Sequence, residues 1–125
     1  MLDMKLMYRH FVAFLILLAL SKNALAGYDL HVTRKEYWAD KGGAVITYTE
    51  WQSYVQRDGA IQKDSQNSEY DFIVMTNGDS FPIWYNPRLG ELSTKNPSDV
   101  AIEKLKQIAN ELKAKVQGDD GELYP

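Results

Sequence analysis

Tyr70-Asp71-Phe72-Ile73-Val74-Met75-Thr76, then Asn77-Gly78, then Phe81-Pro82-Ile83-Trp84-Tyr85, is the stretch that decides the fold. The first run is rich in β-branched and aromatic residues, and Asn-Gly is the dipeptide preferred in a two-residue type I′ hairpin turn. The chain then returns in a second apolar run. Alternation puts Phe81, Ile83 and Tyr85 on one face with Pro82 and Trp84 on the other, and opposes Phe72 and Val74 to Ile73 and Met75 in the same way. Pro82 has no N–H to give a ladder, which pushes its strand towards a sheet edge. Asn86-Pro87 and Leu89-Gly90 mark a further turn, and Glu91 to Thr94 forms one more short strand of an antiparallel meander.

Upstream, Tyr28 to Arg34 alternates strictly, with Tyr28, Leu30 and Val32 opposed to Asp29, His31 and Thr33, the period of a half-buried strand. Thr47-Tyr48-Thr49-Glu50 fits a capping box, and Trp51, Tyr54 and Val55 follow at helical spacing, so a helix is expected from Tyr48 to Arg57. Asp58-Gly59 supplies its stop, with Gly59 in the left-handed conformation. The polar stretch Ala60 to Glu69 holds a weak strand near Ile61 or is simply loop.

Downstream, Asn96-Pro97-Ser98-Asp99 reads as a helix start, with Asn96 as cap, Pro97 at the first helical position and Asp99 in the first turn. Ile102, Leu105, Ile108, Ala109 and Leu112 make one apolar stripe, with Lys113 and Lys115 favourably placed at its C-terminal end. Val116-Gln117 begins a last strand, and Gly118 to Gly121 is a turn. The order is β-α-β-β-β-α-β. It predicts an α+β fold: a small antiparallel sheet of about four to five strands with two helices on one face, in a single domain over residues 27–125.

Residues 11–20 are an uninterrupted apolar run, preceded by Lys5 and Arg9 and followed by Ala24-Leu25-Ala26. That is the layout of a secretory signal peptide over residues 1–26, cleaved between Ala26 and Gly27. The run is too short for a spanning helix, which takes about 20 apolar residues, so no stable membrane insertion is expected after cleavage. Met1, Met4 and Met7 are each available as the start. In a Gram-negative cell the destination is the periplasm.

The chain has 125 residues with 17 acids against 14 Lys plus Arg; removing Asp3, Lys5, Arg9 and Lys22 leaves 16 against 11, a formal charge of −5. Such a balance disfavours a nucleic-acid binder, which needs a basic face, and no nucleic-acid partner is expected. The absence of cysteine excludes disulfides, thiolate metal sites and thiol nucleophiles.

Two segments carry a family look. Tyr28-Asp29-Leu30-His31-Val32-Thr33-Arg34 with Trp38 and Ile46-Thr47 through Glu50-Trp51, together with Val116 to Tyr124, resembles a group of small bacterial proteins. These begin Tyr-Asp-Leu-His-(Ile/Val)-Thr-Arg and end Gly-Asp-Asp-Gly-Glu-x-Tyr. The resemblance implies a shared fold and carries over no activity; most of the group lack an export signal, so the leader is a departure from it.

His31 is the sole histidine of residues 27–125, so any imidazole chemistry there must use it, with Asp29 two positions away on the same face to orient the ring. No serine lies in a recognised nucleophile context. Asp119, Asp120 and Glu122 cluster at a glycine-flanked turn but lack EF-hand spacing, so no metal or cofactor is assigned; the turn reads first as a solvated acidic turn, with a partner-facing acidic knob as the alternative. If one hairpin face packs on the helices, the other still carries large apolar groups. Either the 35–46 or the 86–95 loop covers it, or it binds something. Trp84 and Tyr85 beside Arg88 have the composition of an interface anchor.

These features favour an exported binding protein of inhibitor or immunity type, acting on a basic envelope enzyme or toxin. An accessory subunit of an envelope complex ranks second, and a small hydrolase using His31 with Asp29 third. The leader yields the first prediction: N-terminal sequencing of protein from the envelope fraction begins at Gly27, and a start upstream of that residue, or recovery with cytosolic markers, contradicts export.

Overall fold

The computed structural model describes residues 27–125; the proposed leader, residues 1–26, lies outside the described residues. Strands β1 (Asp29–Thr33), β2 (Ile61–Lys63), β3 (Asp71–Thr76), β4 (Asp79–Asn86), β5 (Glu91–Lys95) and β6 (Lys115–Gly118) form one sheet with helices α1 (Tyr48–Arg57) and α2 (Asp99–Glu111). The sheet order is β2-β3-β4-β5-β1-β6, every neighbouring pair antiparallel. The α+β class and the meander are as the sequence predicts; the sixth strand is the short segment at Ile61.

Register divides the side chains between two faces. Val32 lies opposite Leu92 and Val116, Phe72 opposite Ile83, and Val74 opposite Phe81. With Leu30 and Tyr85 these pack against Trp51 and Tyr54 of α1 and against Ala101, Leu105, Ile108 and Ala109 of α2, all buried. Each large apolar side chain taken fully from water contributes about 1.5–3 kcal/mol, and this layer supplies the core.

Several local expectations are corrected. The Asn77-Gly78 turn closes the Thr76–Asp79 pair, but among its two residues only Gly78 has positive φ (76°), so it is not type I′. Pro82 sits on an interior strand. On the β3 side it faces Ile73 at the non-hydrogen-bonded step of the alternation set by that turn, where no N–H is needed. Towards β5 the ladder runs only over Trp84–Asn86, and the Thr94 hydroxyl donates to the Pro82 carbonyl (2.6 Å) beyond it.

Helix α1 has the capping box at Thr47 and Glu50, but it is ended by an extended Asp58, whose carboxylate accepts the Ala60 N–H, and not by a left-handed Gly59. Helix α2 is capped by Ser98, two residues after the expected Asn96. The residue before a proline avoids helical backbone; Asn96 takes φ 48° and instead exchanges hydrogen bonds with Tyr28. Lys113, with φ 53°, and Lys115, on β6, both lie beyond the helix, whose last turn has no base.

Arg34 ties the helices to the sheet. Its Nε and Nη2 donate to the Leu112 carbonyl (3.0 and 2.8 Å), and Nη1 to the Val45 carbonyl (2.9 Å). Nη1 and Nη2 grip the two oxygens of Glu50 (3.1 and 2.5 Å) at the start of α1. These hydrogen bonds hold the Glu50 carboxyl down at about 2. A lysine cannot reproduce a planar fork with this many donors. Arg34→Lys is therefore expected to lower unfolding free energy by about 1–3 kcal/mol in denaturant titration; an unchanged midpoint would show that the clamp contributes nothing.

Candidate functional site

On the face of the sheet opposite the helices, a row runs across the strands: Asp71, Trp84, Ser93, His31 and Gln117 lie opposite one another in turn. Residues 35–40 fold over the His31 end of this row. The Trp38 ring stacks on the imidazole with centroids 3.8 Å apart and planes 7° from parallel. The Gln117 side chain accepts the Trp38 backbone N–H (2.7 Å) and donates to the Glu36 carbonyl (2.9 Å), fastening the segment to β6. Lys35 is buried beneath it and gives its ammonium to the Asp40 carbonyl.

His31 is 4 % exposed and held at both nitrogens: Nδ1 lies 2.5 Å from Glu91 Oε2 and Nε2 lies 2.8 Å from Asp119 Oδ1. Two carboxylates bracketing one ring are satisfied together when both nitrogens carry protons, which makes the ring an imidazolium. Burial works against that charge; the hydrogen bonds and charges of Glu91 and Asp119 outweigh it, and the histidine pKa is raised above its ordinary value. Glu91 is 1 % exposed and its second oxygen has no partner among the described residues, where His31 is the group that balances its charge.

Asp119 is fixed at several points. Its Oδ2 accepts the Asp29 N–H (3.0 Å), and its carbonyl accepts Trp38 Nε1–H (3.0 Å) and the Tyr37 hydroxyl (3.1 Å). Behind it, Gly118 has no room for a Cβ, because the Glu122 carboxylate and the Tyr28 hydroxyl crowd that space. The acidic turn is thus folded onto the sheet.

The expected pairing of Asp29 with His31 is corrected. With His31 opposite Ser93 on β5 and Gln117 on β6, Glu91 and Asp119 are its diagonal cross-strand neighbours, two positions along, within reach of side chains that lean across the strands. Glu91 and Asp119 take the ring, and Asp29 contributes its backbone N–H. Tyr85 is corrected too: it is buried in the helix-side core with its hydroxyl on the Ile46 carbonyl (2.8 Å), so it shares no surface with Trp84. Arg88 is exposed in the turn between β4 and β5, while Asp120 and Glu122 are exposed beside the half-buried Asp119. Sequence reading missed Glu91 and Gln117; their signal was position on the His31 face, visible only once strand register is known.

Among the described residues, the segment around Trp38 covers the β1 and β6 part of this face and nothing covers the β3 and β4 part: Met75 is 51 % exposed, Pro82 is exposed, and Ile73 and Trp84 are half-buried.

The bracketed ring gives a prediction with a definite sign. Free histidine titrates near 6.5, and the folded value is higher. The stabilisation is therefore complete below about pH 6.5 and is lost as pH rises through the folded value. Unfolding free energy should fall on the alkaline side. His31→Ala, which strands the buried Glu91 charge, should cost about 3–5 kcal/mol near neutral pH by denaturant titration. A small loss with a flat pH profile would contradict the assignment.

Comparison with protein-family models, with curated proteins and with solved structures gives no match, so the site is read from its own geometry.

Proposed function

We propose that the chain is a small exported binding protein acting by surface complementarity on a basic partner enzyme of the periplasm, as an inhibitor or immunity-type protein does. The observation that carries this reading is the uncovered half of the outer sheet face, where Trp84, Ile73, Met75 and Pro82 lie side by side on paired strands. An aromatic anchor among flat apolar groups is the usual core of a recognition patch. The turn carrying Asp120 and Glu122 lies on the flank of the sheet, held in place by the His31 network, and residues 27–125 carry a formal −5. An acidic surface of this kind steers a basic partner into encounter and sets its orientation.

The geometry of His31 supports binding over bond-making. Both ring nitrogens are engaged by carboxylates and one ring face is under Trp38, so the imidazole offers a substrate no free lone pair.

The test uses the purified protein as bait in envelope extract at low salt, alongside Trp84→Ala and Met75→Asp. The expected outcome is one stoichiometric partner, lost with both variants at unchanged melting temperature, whose activity the wild-type protein inhibits after purification. A partner that is retained by both variants overturns the patch. One that is captured but not inhibited turns the reading towards an accessory subunit.

A further inference from the structure

The two carboxylates that bracket His31 differ in freedom, and that inequality decides how the network responds when the ring loses a proton. Glu91, on β5, is 1 % exposed; the Asp119 side chain, on the turn after β6, is 34 % exposed. The other groups near the ring include the Asp29 carboxylate on the same strand face, one of whose oxygens is buried without a partner among the described residues. Asp29 on β1 gives its N–H to Asp119, and Tyr37 and Trp38 reach the Asp119 carbonyl from the covering segment. Ser93 and Gln117 flank the ring uncharged, and the Lys35 ammonium is spent on the Asp40 carbonyl.

A neutral imidazole has one N–H and one lone pair. With the proton on Nε2, the lone pair of Nδ1 would face Glu91, and a carboxylate sealed from water would lose its donor. With the proton on Nδ1, the lone pair faces Asp119, which can turn out into solvent. The cost of stranding a buried charge selects the second arrangement.

We propose that the Gly118–Glu122 turn is a pH-controlled latch: deprotonation of His31 leaves the remaining proton on Nδ1 with Glu91, expels the Asp119 carboxylate from Nε2 and frees the turn from Trp38 and Tyr37. The freed turn presents Asp119 alongside Asp120 and Glu122, a more acidic and less ordered element. As control of partner binding this rests on the proposed binding role of the chain; the latch itself is a property of the isolated protein.

The experiment is an NMR titration of the 15N-labelled protein from about pH 5 to about pH 10, spanning the range of histidine switches. The His31 ring nitrogens report the tautomer, and the Trp38 indole N–H and Asp29 amide report release of Asp119. The latch predicts a neutral ring protonated on Nδ1. The indole and Asp29 signals should move at the His31 midpoint, and the amides of residues 119–121 should gain fast motion while those of Val32 and Leu92 stay unchanged. In Asp119→Asn the His31 midpoint should drop by about one unit or more, and the indole signal should no longer follow it. The proposal is overturned by a neutral ring protonated on Nε2, by a ring that keeps both protons throughout, or by indole and Asp29 signals that ignore the titration. An unchanged midpoint in Asp119→Asn, or collapse of the whole spectrum at that pH, overturns it as well. None of these outcomes bears on whether Trp84 and Met75 capture a partner.

Discussion

Glu91 is a carboxylate with almost no access to water, placed in a strand, and the surrounding structure is arranged around that fact. Left unpaired, such a group would either protonate or destabilise the fold by several kcal/mol. His31 removes the problem by sitting diagonally across on β1, and Asp119 holds the far nitrogen so that the ring stays charged. A buried ionic trio is weak evidence for net stability, because desolvation offsets most of its attraction. Its stronger effect is on register. Sliding β1 by one residue against β5 would turn Leu30 or Val32 towards Glu91 and bury His31 among the helices. The trio thus selects one pairing in the middle of the sheet, and the Trp38 segment and the C-terminal turn close over it through Gln117 and the Asp119 carbonyl.

That closure divides the outer face of the sheet. Over β1 and β6 it is covered by the segment around Trp38; over β3 and β4, among the described residues, it is uncovered, with Ile73, Met75, Pro82 and Trp84 on it. Pro82 lies within β4, just beyond the stretch that pairs with β5. Because it cannot donate to β5, the ladder stops at Trp84, and the Thr94 hydroxyl supplies the one bond to the Pro82 carbonyl. Trp84 therefore stands at the end of the paired segment, one strand from the buried network and one strand from Asp71.

Much of this was legible in the amino-acid order because local chemistry and tertiary packing agree. The alternation of Tyr28 to Arg34, the hairpin of Tyr70 to Tyr85 and the Thr47–Glu50 capping box each specify their element without help from the rest of the chain. Where a long-range contact claimed the expected residue, the feature lies elsewhere. Asn96 and Ser98 are both good caps, and it took the pairing of Asn96 with Tyr28, sixty-eight residues away, to decide for Ser98. The site was less legible than the fold. His31 and Asp119 were visible as candidates, one as a lone histidine and the other as part of an acidic turn. Their union through Glu91 depends on which residues of β5 face β1. That is set by long-range register, and no spacing along the chain encodes it.

The division of the face also says which kind of recognition this architecture suits. An exposed sheet edge invites strand addition, in which main-chain hydrogen bonds supply the affinity. Here one edge strand, β2, has only three residues, with Gln62 and Lys63 exposed, and the other, β6, is partly occupied by the bridge between Gln117 and Leu123. Short and charged edges discourage pairing with another chain. What the described residues leave uncovered is side-chain surface: the Trp84 patch on the face and the acidic turn at its flank. Affinity on such a surface depends on shape and charge, so the order of the turn matters as much as its composition. In this protein that order is controlled from beneath by the protonation state of one buried imidazole.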